Sequence, residues 1–381
     1  MLLDNVECCG CSACVLVCPE KAIEMGFNKY GFYSAFINNE LCIECGKCKK
    51  VCPILNLKKS PLSSYNVYVA VANDKLILNK SSSGGIGYVL SEYAIQNNIP
   101  VCGVTYNSIL SCANHVVVEN SNDLNKIQGS KYLQSVTKDA FKRVISLKKG
   151  FIFGTPCQIA GLHNVLNKMG IREQFVLIDI FCHGVPSQLL WSNHLEYLKK
   201  KGYIQDDSYV SFRDKNKYIL KIENYTAWFN EDAFYTFFLR NMLANRCCYS
   251  CMYRRDSYAD LRIGDCAIKE FKSLEYSPSL VIANTQTGCK IITTINKIEL
   301  HMLPFSVVNS IQKKDIERIP VNYEYLLSKL RDGVYPEVLI KNILIKGRIK
   351  ALIKKILKLL IKTKRNNVSL KSLVEELKNN F

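Results

Sequence analysis

Short apolar runs alternate with helical patterns over the middle of this chain. The runs are brief, as buried strands are, and they predict strands at Val67–Ala72, Val101–Thr105, Val116–Val118, Phe151–Phe153 and Phe175–Ile180. Helical spacing fills the gaps between them, for example over Tyr88–Gln96. Strands that alternate with helices predict an α/β core whose sheet is largely covered.

The two ends of the chain depart from this alternation. Residues 1–57 are dense in cysteine and internally repeated, and the polar stretch at 58–64 predicts a linker behind them. The core then divides into segments 65–150 and 151–330, and residues 335–381 are mostly helical in pattern. The sequence therefore predicts an α+β protein with a small N-terminal module, a larger α/β core and a helical C-terminal tail.

Cysteine is the component of the composition that most changes this picture. The chain has 381 residues, of which 48% are hydrophobic and 18 are cysteines. A disulfide framework of that size would need an oxidising compartment, but the N-terminus shows no signal-peptide pattern. Metal ligation in a reducing cytoplasm is the better explanation. No apolar run approaches the roughly 20 residues of a membrane span.

The positive charge is concentrated at the C-terminus. The formal net charge is +18, and 10 Lys or Arg residues lie within residues 341–365 without an acidic residue among them. Apolar residues recur there at helical spacing, so the segment predicts a basic amphipathic helix on an anionic membrane surface. The alternatives are a core-packed helix and a docking helix for an acidic protein. No nucleic-acid-binding motif is present.

Two cysteine runs at the N-terminus share one spacing. Each follows C-x2-C-x2-C-x3-C-P, and the runs are Cys8, Cys11, Cys14 and Cys18, then Cys42, Cys45, Cys48 and Cys52. This is the signature of bacterial ferredoxins with two [4Fe–4S] clusters, which soft thiolates suit. Zinc is the alternative, but it takes four ligands, and the two runs would leave a surplus.

The signature also predicts which cysteine binds which cluster, because the fourth cysteine of each run is a ligand of the other cluster. We assign the first cluster to Cys8, Cys11, Cys14 and Cys52, and the second cluster to Cys42, Cys45, Cys48 and Cys18. Cys18 and Cys52 are each expected to begin a short helix. Cys9, between two ligands, is expected to be a spectator. A module of this kind carries single electrons.

A further set of cysteines lies in the core, at Cys157, Cys182, Cys248 and Cys251. Their spacing alone is compatible with a mixture of buried free cysteines. Cys182 follows a predicted strand, and ligands often lie where loops leave a rigid sheet. Both interpretations stay open at this point.

Several short motifs together resemble the coenzyme F420 hydrogenase/dehydrogenase beta-subunit family. They are Ser83-Gly84-Gly85, Gln128-Gly129-Ser130-Lys131-Tyr132, Gly154-Thr155-Pro156-Cys157-Gln158, Cys182-His183-Gly184-Val185-Pro186-Ser187, Phe212-Arg213-Asp214-Lys215, and Ala259-Asp260 through Gly264-Asp265. The match runs in order from about residue 65 to about 300, and a ferredoxin module in front is a known arrangement in the family. The resemblance implies an FAD-containing protein with a third [4Fe–4S] cluster, held by Cys157, Cys182, Cys248 and Cys251.

The resemblance also implies where the flavin is bound. Ser83, Gly84 and Gly85 would contact the FAD pyrophosphate at the start of a helix, and the motifs add Gly129, Ser130, Thr155 and Gln158 as cofactor contacts. Lys131 would neutralise phosphate or dock the flavin ring, with a solvated loop lysine as the alternative. Arg213 and Lys215 would bind an anionic substrate or cofactor. His183 would bond the flavin or transfer a proton, unless it is structural.

The implied activity is an iron–sulfur flavoprotein oxidoreductase. Electrons would pass between a ferredoxin-like donor, the clusters, FAD and a small organic acceptor, such as a deazaflavin or a polysaccharide-pathway substrate. The alternatives are a non-catalytic electron-relay subunit of a larger oxidoreductase and a core that has lost its flavin. The last arises because Cys266 and Ala267 stand where the family has an aromatic pair.

Overall fold

The N-terminal module is a short hairpin flanked by two one-turn helices. The structure, a computed structural model, describes residues 8–56, 66–266, 268, 276–311 and 318–343. The module contains α1 (Ala13–Val17), β1 (Ile23–Phe27), β2 (Tyr33–Ile37) and α2 (Lys47–Val51). Strands β1 and β2 pair antiparallel. The predicted linker at 58–64 and the basic segment 344–365 lie outside the described residues.

The helices of the module correct one prediction. Cys18 and Cys52 do not begin helices: each is the residue that ends one, with ψ angles of 114° and 120°. Pro19 and Pro53 are the cause, since a proline disfavours the helical conformation of the residue before it. The third cysteine of each run therefore lies inside the helix, and the fourth lies just beyond its last turn.

The core is built on one large mixed sheet. Its strands are β3 (Asn66–Ala72), β4 (Val101–Asn107), β5 (Cys112–Val118), β6 (Ser135–Val136), β7 (Gly150–Gly154), β8 (Phe175–Ile180), β12 (Leu261–Asp265), β13 (Ser279–Ala283) and β14 (Ile298–Leu303). A separate three-stranded sheet, which lies between β8 and β12 in the sequence, consists of β9 (Val210–Ser211), β10 (Ile219–Ile222) and β11 (Tyr225–Trp228). In the described part of the chain the large sheet has nine strands in the order β14-β3-β13-β12-β8-β7-β4-β5-β6. All five predicted strands and the predicted helix are confirmed.

Helices connect and cover these strands. They are α3 (Lys75–Asn79), α4 (Ile86–Gln96), α5 (Leu124–Ile127), α6 (Lys138–Ser146), α7 (Pro156–Lys168), α8 (Gln188–Lys200), α9 (Ala233–Leu239), α10 (Arg246–Tyr249), α11 (Gln286–Thr294), α12 (Ser306–Ile311) and α13 (Tyr323–Arg331), and residues 336–343 are also helical. A cluster of buried aromatic side chains fills the space between α8, the small sheet and α9, with Trp191, Phe212 and Phe234 at its centre. The predicted α+β class is confirmed.

The direction of the strands determines where the candidate functional residues lie. Strands β4, β7, β8 and β12 run parallel, while β13 is antiparallel to both β12 and β3. The carboxyl ends of β3, β7, β8 and β12 therefore meet at one edge, which we call the carboxyl edge. In open α/β sheets, ligands bind outside this edge.

The module docks on the core through hydrogen bonds to its main chain. The donors are core side chains and the acceptors are module carbonyl oxygens, at distances of 2.6–3.2 Å: Gln134 to Cys9, Ser187 to Tyr30, Asn245 to Cys8 and Tyr253 to Pro53. Gln134 also accepts the N–H of Tyr33 at 2.8 Å. The module is thereby held against α7 and the carboxyl edge. Among the described residues, no helix has both the length and the apolar character to cross a membrane.

Candidate functional site

A cavity of about 150 Å³ at the carboxyl edge brings distant cysteines together. Its lining includes the predicted core ligands Cys157, Cys182, Cys248 and Cys251, and also Cys9 from the module and Cys247. Ile54 of the module and Tyr253 of the core close it. The four cysteines that the resemblance grouped are therefore neighbours in space.

Separate elements bring each of these cysteines to the cavity. Cys157 lies in the first turn of α7, directly after β7, where Thr155 and Gln158 form a capping box around Pro156. Cys182 follows the end of β8. Cys248 lies in the short helix α10, which Asn245 caps by accepting the N–H of Cys247. The rigid sheet thus fixes Cys157 and Cys182, the capped helix α10 fixes Cys248, and Cys251 follows just beyond the end of α10.

The thiols of the cavity influence one another electrostatically. A hydrogen bond from Cys9 lowers the pKa of Cys157, and one from Cys247 lowers the pKa of Cys248. Burial, reinforced by neighbouring cysteines, raises the pKa of Cys182 and raises that of Cys251 to about 12. Thiols this close and this buried are well placed for a shared metal centre, because a metal replaces their protons.

Two buried arginines offset the negative charge that such thiolates would bring. Arg254 donates to the carbonyl oxygens of His183 and Cys248 at 3.1 and 3.0 Å. Arg262 makes a two-pronged ion pair with Asp179, with distances of 2.7 and 2.8 Å, and its charge lies near Cys182 and Cys251. The donor set and its charges fit an iron–sulfur cluster.

The module cysteines fall into two groups in space. Cys8, Cys11, Cys14 and Cys52 interact with one another, and burial with the nearby thiol of Cys11 raises the pKa of Cys8 to about 11. The second group lines a more open cavity of about 260 Å³ and consists of Cys18, Cys42, Cys45 and Cys48. These groups coincide with the first and second clusters as the repeat distributes them.

No set of three His, Cys, Asp or Glu side chains in the described residues converges closely enough to hold a single metal ion. Zinc would require such convergence, with Zn–S distances of about 2.3 Å. The thiols instead line cavities, and in a four-iron cluster each thiolate binds a different iron atom.

The Ser/Gly loop lies farther along the same edge, between β3 and α4. Ser83 Oγ is 3.0 Å from Ser279 Oγ at the start of β13. A β-carbon at Gly84 would lie 2.6 Å from Ser279 N, and Gly85, with φ +77°, caps α4. The glycines are thus required by packing and by a left-handed turn, and the loop also places a helix N-terminus at the edge.

The segment with Gly129, Ser130 and Lys131 lies on this loop. Ser130 N–H donates to Ser82 Oγ at 3.0 Å, and Gly129 has a φ of +82°. Lys131 Nζ donates to the carbonyl oxygens of Gln128 and Gly129 at 2.8 and 3.0 Å. Burial lowers the pKa of Lys131 to about 7. A lysine with these two carbonyl partners keeps a third proton for an anion.

Arg213 joins the loop to the strand ends. Its guanidinium donates to Asp265 Oδ2, Tyr132 Oη and the carbonyl oxygen of Ser82 at 2.8–2.9 Å, and stacks on Tyr218 at 4.1 Å. The side chain is thus directed at protein groups, and an anionic ligand would compete with them. Lys215 Nζ lies 5.1 Å above the ring of Tyr276.

The remaining predicted residues flank the cysteine cavity. Gln158 Oε1 accepts the N–H of Thr155 at 2.9 Å, and Thr155 Oγ1 is 3.3 Å from Cys157 Sγ. His183 is exposed, and its carbonyl oxygen accepts from Asn241 at 3.0 Å. Cys266 is buried at 5% exposure in an apolar cluster with Val69 and Leu280.

Three residues of the site do not follow from the sequence patterns. Cys9 lines the core cavity although its position between two ligands predicts a spectator, and neither Cys247 nor Arg254 belongs to a predicted ligand set. The doublets Cys8-Cys9 and Cys247-Cys248, in which a second thiol adjoins a ligand candidate, are the available signal in the sequence.

Comparison with known proteins agrees with this architecture. The family described as coenzyme F420 hydrogenase/dehydrogenase, C terminus of the beta subunit, matches residues 147–306, and the 4Fe-4S dicluster domain matches residues 7–55. The coenzyme F420-dependent sulfite reductase of Methanocaldococcus jannaschii is 26% identical over 170 residues, covering 43% of this chain and 26% of that protein. The chain therefore matches about a quarter of the length of that relative.

Two further similarities concern the module and three quarters of the chain. The ketoisovalerate oxidoreductase subunit VorC of Methanothermobacter marburgensis is 33% identical over 57 residues, 14% of this chain and 72% of that protein. A chain of the F420-reducing [NiFe] hydrogenase complex from Methanosarcina barkeri has 17% identity and a TM-score of 0.47, covering 75% of this chain and 95% of that chain. By these two matches, residues 147–306 belong to the C-terminal part of the coenzyme F420 hydrogenase/dehydrogenase beta-subunit family, and residues 7–55 belong to the 4Fe-4S dicluster domain.

Proposed function

We propose that this protein is an oxidoreductase that carries electrons through three [4Fe–4S] clusters to a flavin, which reduces a small organic acceptor. The observation that carries the proposal is the sequence of three cysteine groups leading inward. The second cluster's group is the most open, the first cluster's group is partly buried with Cys11 packed against α7, and the core cavity lies beyond it. Such an order suits stepwise transfer from a donor protein.

The proposed ligands follow from these groups. Cys18, Cys42, Cys45 and Cys48 would hold the second cluster, Cys8, Cys11, Cys14 and Cys52 the first, and Cys157, Cys182, Cys248 and Cys251 the core cluster. Cys45 is exposed, so a ferredoxin-like donor would dock there. Cys11 and Cys157 both neighbour Cys9, which makes the first cluster the one adjacent to the core.

FAD would lie along the carboxyl edge, beside the core cluster. β12, which ends at Asp265, is the neighbour of β8, which precedes Cys182, and adjacent strands are about 4.8 Å apart. Ser83, Gly84 and Gly85 would face the pyrophosphate at the N-terminus of α4, with Gly129, Ser130 and Lys131 beside them. A bound flavin exchanges single electrons with clusters and electron pairs with organic molecules.

The chain's own residues supply charge and protons around that position. Lys131, with a pKa near 7, can donate a proton at Nζ and regain it at neutral pH. Arg213 keeps the Ser82 loop and Asp265 together, and Lys215 would add positive charge for an anionic acceptor. Thr155 and Gln158 fix the first turn of α7, and His183, exposed beside Cys182, is a second proton donor.

A relay subunit is the second candidate, because the relative that matches the module is a subunit of an oxidoreductase. In that case the purified chain would accept electrons but reduce no small molecule. Steady-state assays with a deazaflavin and with artificial two-electron acceptors separate the two functions. Turnover by the chain alone would reject the relay function.

The test is the content of iron, acid-labile sulfide and flavin after anaerobic purification and reconstitution. We expect about 12 iron atoms and one FAD for each chain, as three four-iron clusters require. The variant Cys182→Ser should retain about 8 iron atoms. Cys289→Ser is the matched control, since Cys289 lies on α11 with Asn66 and Tyr68 as its neighbours.

Two results would contradict the proposal. About 8 iron atoms in the unmodified chain, the value for two clusters, would rule out the proposed core cluster. A full iron content without FAD would rule out the flavin and leave an iron–sulfur relay as the function. An equal loss of iron in Cys289→Ser would show that the assay reports general instability.

A further inference from the structure

Cys9 belongs to the module by sequence and to the core cavity by position. Its side chain is 6% exposed and packs with Cys11, Ala13 and Val165, with Cys157 against the same cluster. It also lines the cavity that holds the proposed core ligands. Cys9 therefore stands at the boundary between the first cluster and the core cluster.

The contacts of its sulfur are specific. Cys9 packs in one buried cluster with Cys11 and Cys157, and its thiol interacts by hydrogen bonding with both. These two thiols belong to different proposed ligand sets. A coordinated thiolate can only accept a hydrogen bond, whereas a thiol outside the coordination sphere has one S–H proton to donate.

The backbone around Cys9 is fixed from both sides. The carbonyl oxygen of Cys9 accepts from Gln134 at 3.2 Å, and that of Cys8 accepts from Asn245 at 3.0 Å. Gly10, with φ +71°, leaves no room for a side chain, because a β-carbon there would lie 2.6 Å from Gln134 Nε2. The thiol is thus positioned by the docked interface.

We propose that Cys9 is a positioning residue whose S–H group donates to Cys157 and thereby raises the reduction potential of the core cluster. The proposal rests on the proposed function, since it requires a cluster at Cys157. Hydrogen bonds to cluster sulfurs favour the reduced, more negative state and so raise the potential. The same thiol contacts Cys11, a proposed ligand of the first cluster, so the sulfur of Cys9 lies between ligands of the two neighbouring clusters.

The test compares Cys9→Ala with Cys9→Ser in the full, reconstituted chain. Potentiometric titration is followed by electron paramagnetic resonance, and the core signal is identified as the one that Cys182→Ser lacks. We expect Cys9→Ala to keep its iron and to lower the core potential. The expected shift is roughly tenfold in the ratio of reduced to oxidised cluster, which equals about 59 mV for one electron. Cys9→Ser retains a donor and should shift less.

The outcomes separate this proposal from the one it rests on. An unmodified chain without a core signal refutes the core cluster itself, whatever Cys9 does. With that signal present, a loss of about four iron atoms in both variants would make Cys9 a ligand, and an unchanged potential would make it a packing residue. Either result would overturn the positioning role. The control Cys289→Ser should leave both iron and potential unchanged.

Discussion

Gly161 lies directly against Cys11: a β-carbon added to this glycine would stand 2.7 Å from the sulfur of Cys11. Gly161 belongs to α7, and Cys11 is a proposed ligand of the first cluster. The absence of a side chain in the middle of α7 therefore allows the module to approach the core. Helix propensity would favour alanine at this position by up to about 1 kcal/mol, but the contact leaves it no space.

We expect Gly161→Ala to displace Cys11 and weaken the first cluster. Overpacking of this kind costs about 1–3 kcal/mol, and iron after reconstitution should fall from about 12 to about 8 atoms. Gly87→Ala is the matched control, because its β-carbon would meet its nearest neighbour, Ile263, at 3.5 Å in an ordinary contact. Equal iron contents in the two variants would disprove this account of the interface.

Replacement of Arg213 should loosen the proposed flavin site. Arg213→Lys cannot reproduce a guanidinium that bonds Asp265, Tyr132 and Ser82 together, and we expect a loss of about 2 kcal/mol of unfolding free energy with reduced flavin retention. Chemical denaturation and flavin content measure the two effects. Lys221→Ala, which removes an exposed pair with Asp214, should cost less than about 1 kcal/mol. If both variants behave alike, Arg213 does not organise the loop.

The buried pair of Asp179 and Arg262 should be sensitive to removal of one partner. Asp179→Asn leaves the Arg262 charge buried without its carboxylate, which costs about 3–5 kcal/mol. Arg262 also holds the carbonyl oxygens of Tyr253 and Arg254 beside the cavity, so core iron should be lost as well. Anaerobic denaturation with iron analysis checks both. Lys297→Ala, at a partly exposed pair with Glu92, serves as the control, and an equal effect there would contradict the prediction.

His194 should make stability depend on pH. Burial opposes its charge, but Asp232 and Glu337 outweigh burial and raise its pKa to about 9. The unfolded pKa is about 6.5, so the contribution of up to about 3 kcal/mol is complete below pH 6.5 and is lost as pH rises through 9.

Melting temperatures between pH 6 and 9.5 measure this contribution. Asp232 Oδ2 and Glu337 Oε1 lie 3.1 and 2.6 Å from the ring nitrogens, and Tyr225 donates to Asp232 in the same group. His194→Gln should therefore flatten the decline in melting temperature above pH 6.5. A decline of the same slope in the variant would assign the effect to other groups.

The sequence could predict those parts of the site that are local in the chain. The ligands of the module follow a fixed spacing, and the strands follow short apolar runs. The core cysteines could be grouped only through the resemblance, because the parallel strands, not the spacing, bring Cys157 and Cys182 to one edge. Three partners of Arg213, namely Asp265, Tyr132 and Ser82, lie 52 to 131 positions away, so no local pattern could show that these donors serve the protein. The position of Cys9 in the core cavity depends on docking of the module, and local spacing cannot show it for the same reason.

Four hydrogen bonds between module and core are asymmetric in a way that bears on how the two parts can evolve. In the bonds from Gln134, Ser187, Asn245 and Tyr253, the core supplies a side chain and the module supplies a carbonyl oxygen. A carbonyl oxygen survives any substitution of its residue, whereas each donor is lost by a single change. At these four bonds natural selection should therefore fall on the core side chains, and the exposed surface of the module can diverge to suit new donor proteins while these bonds are preserved.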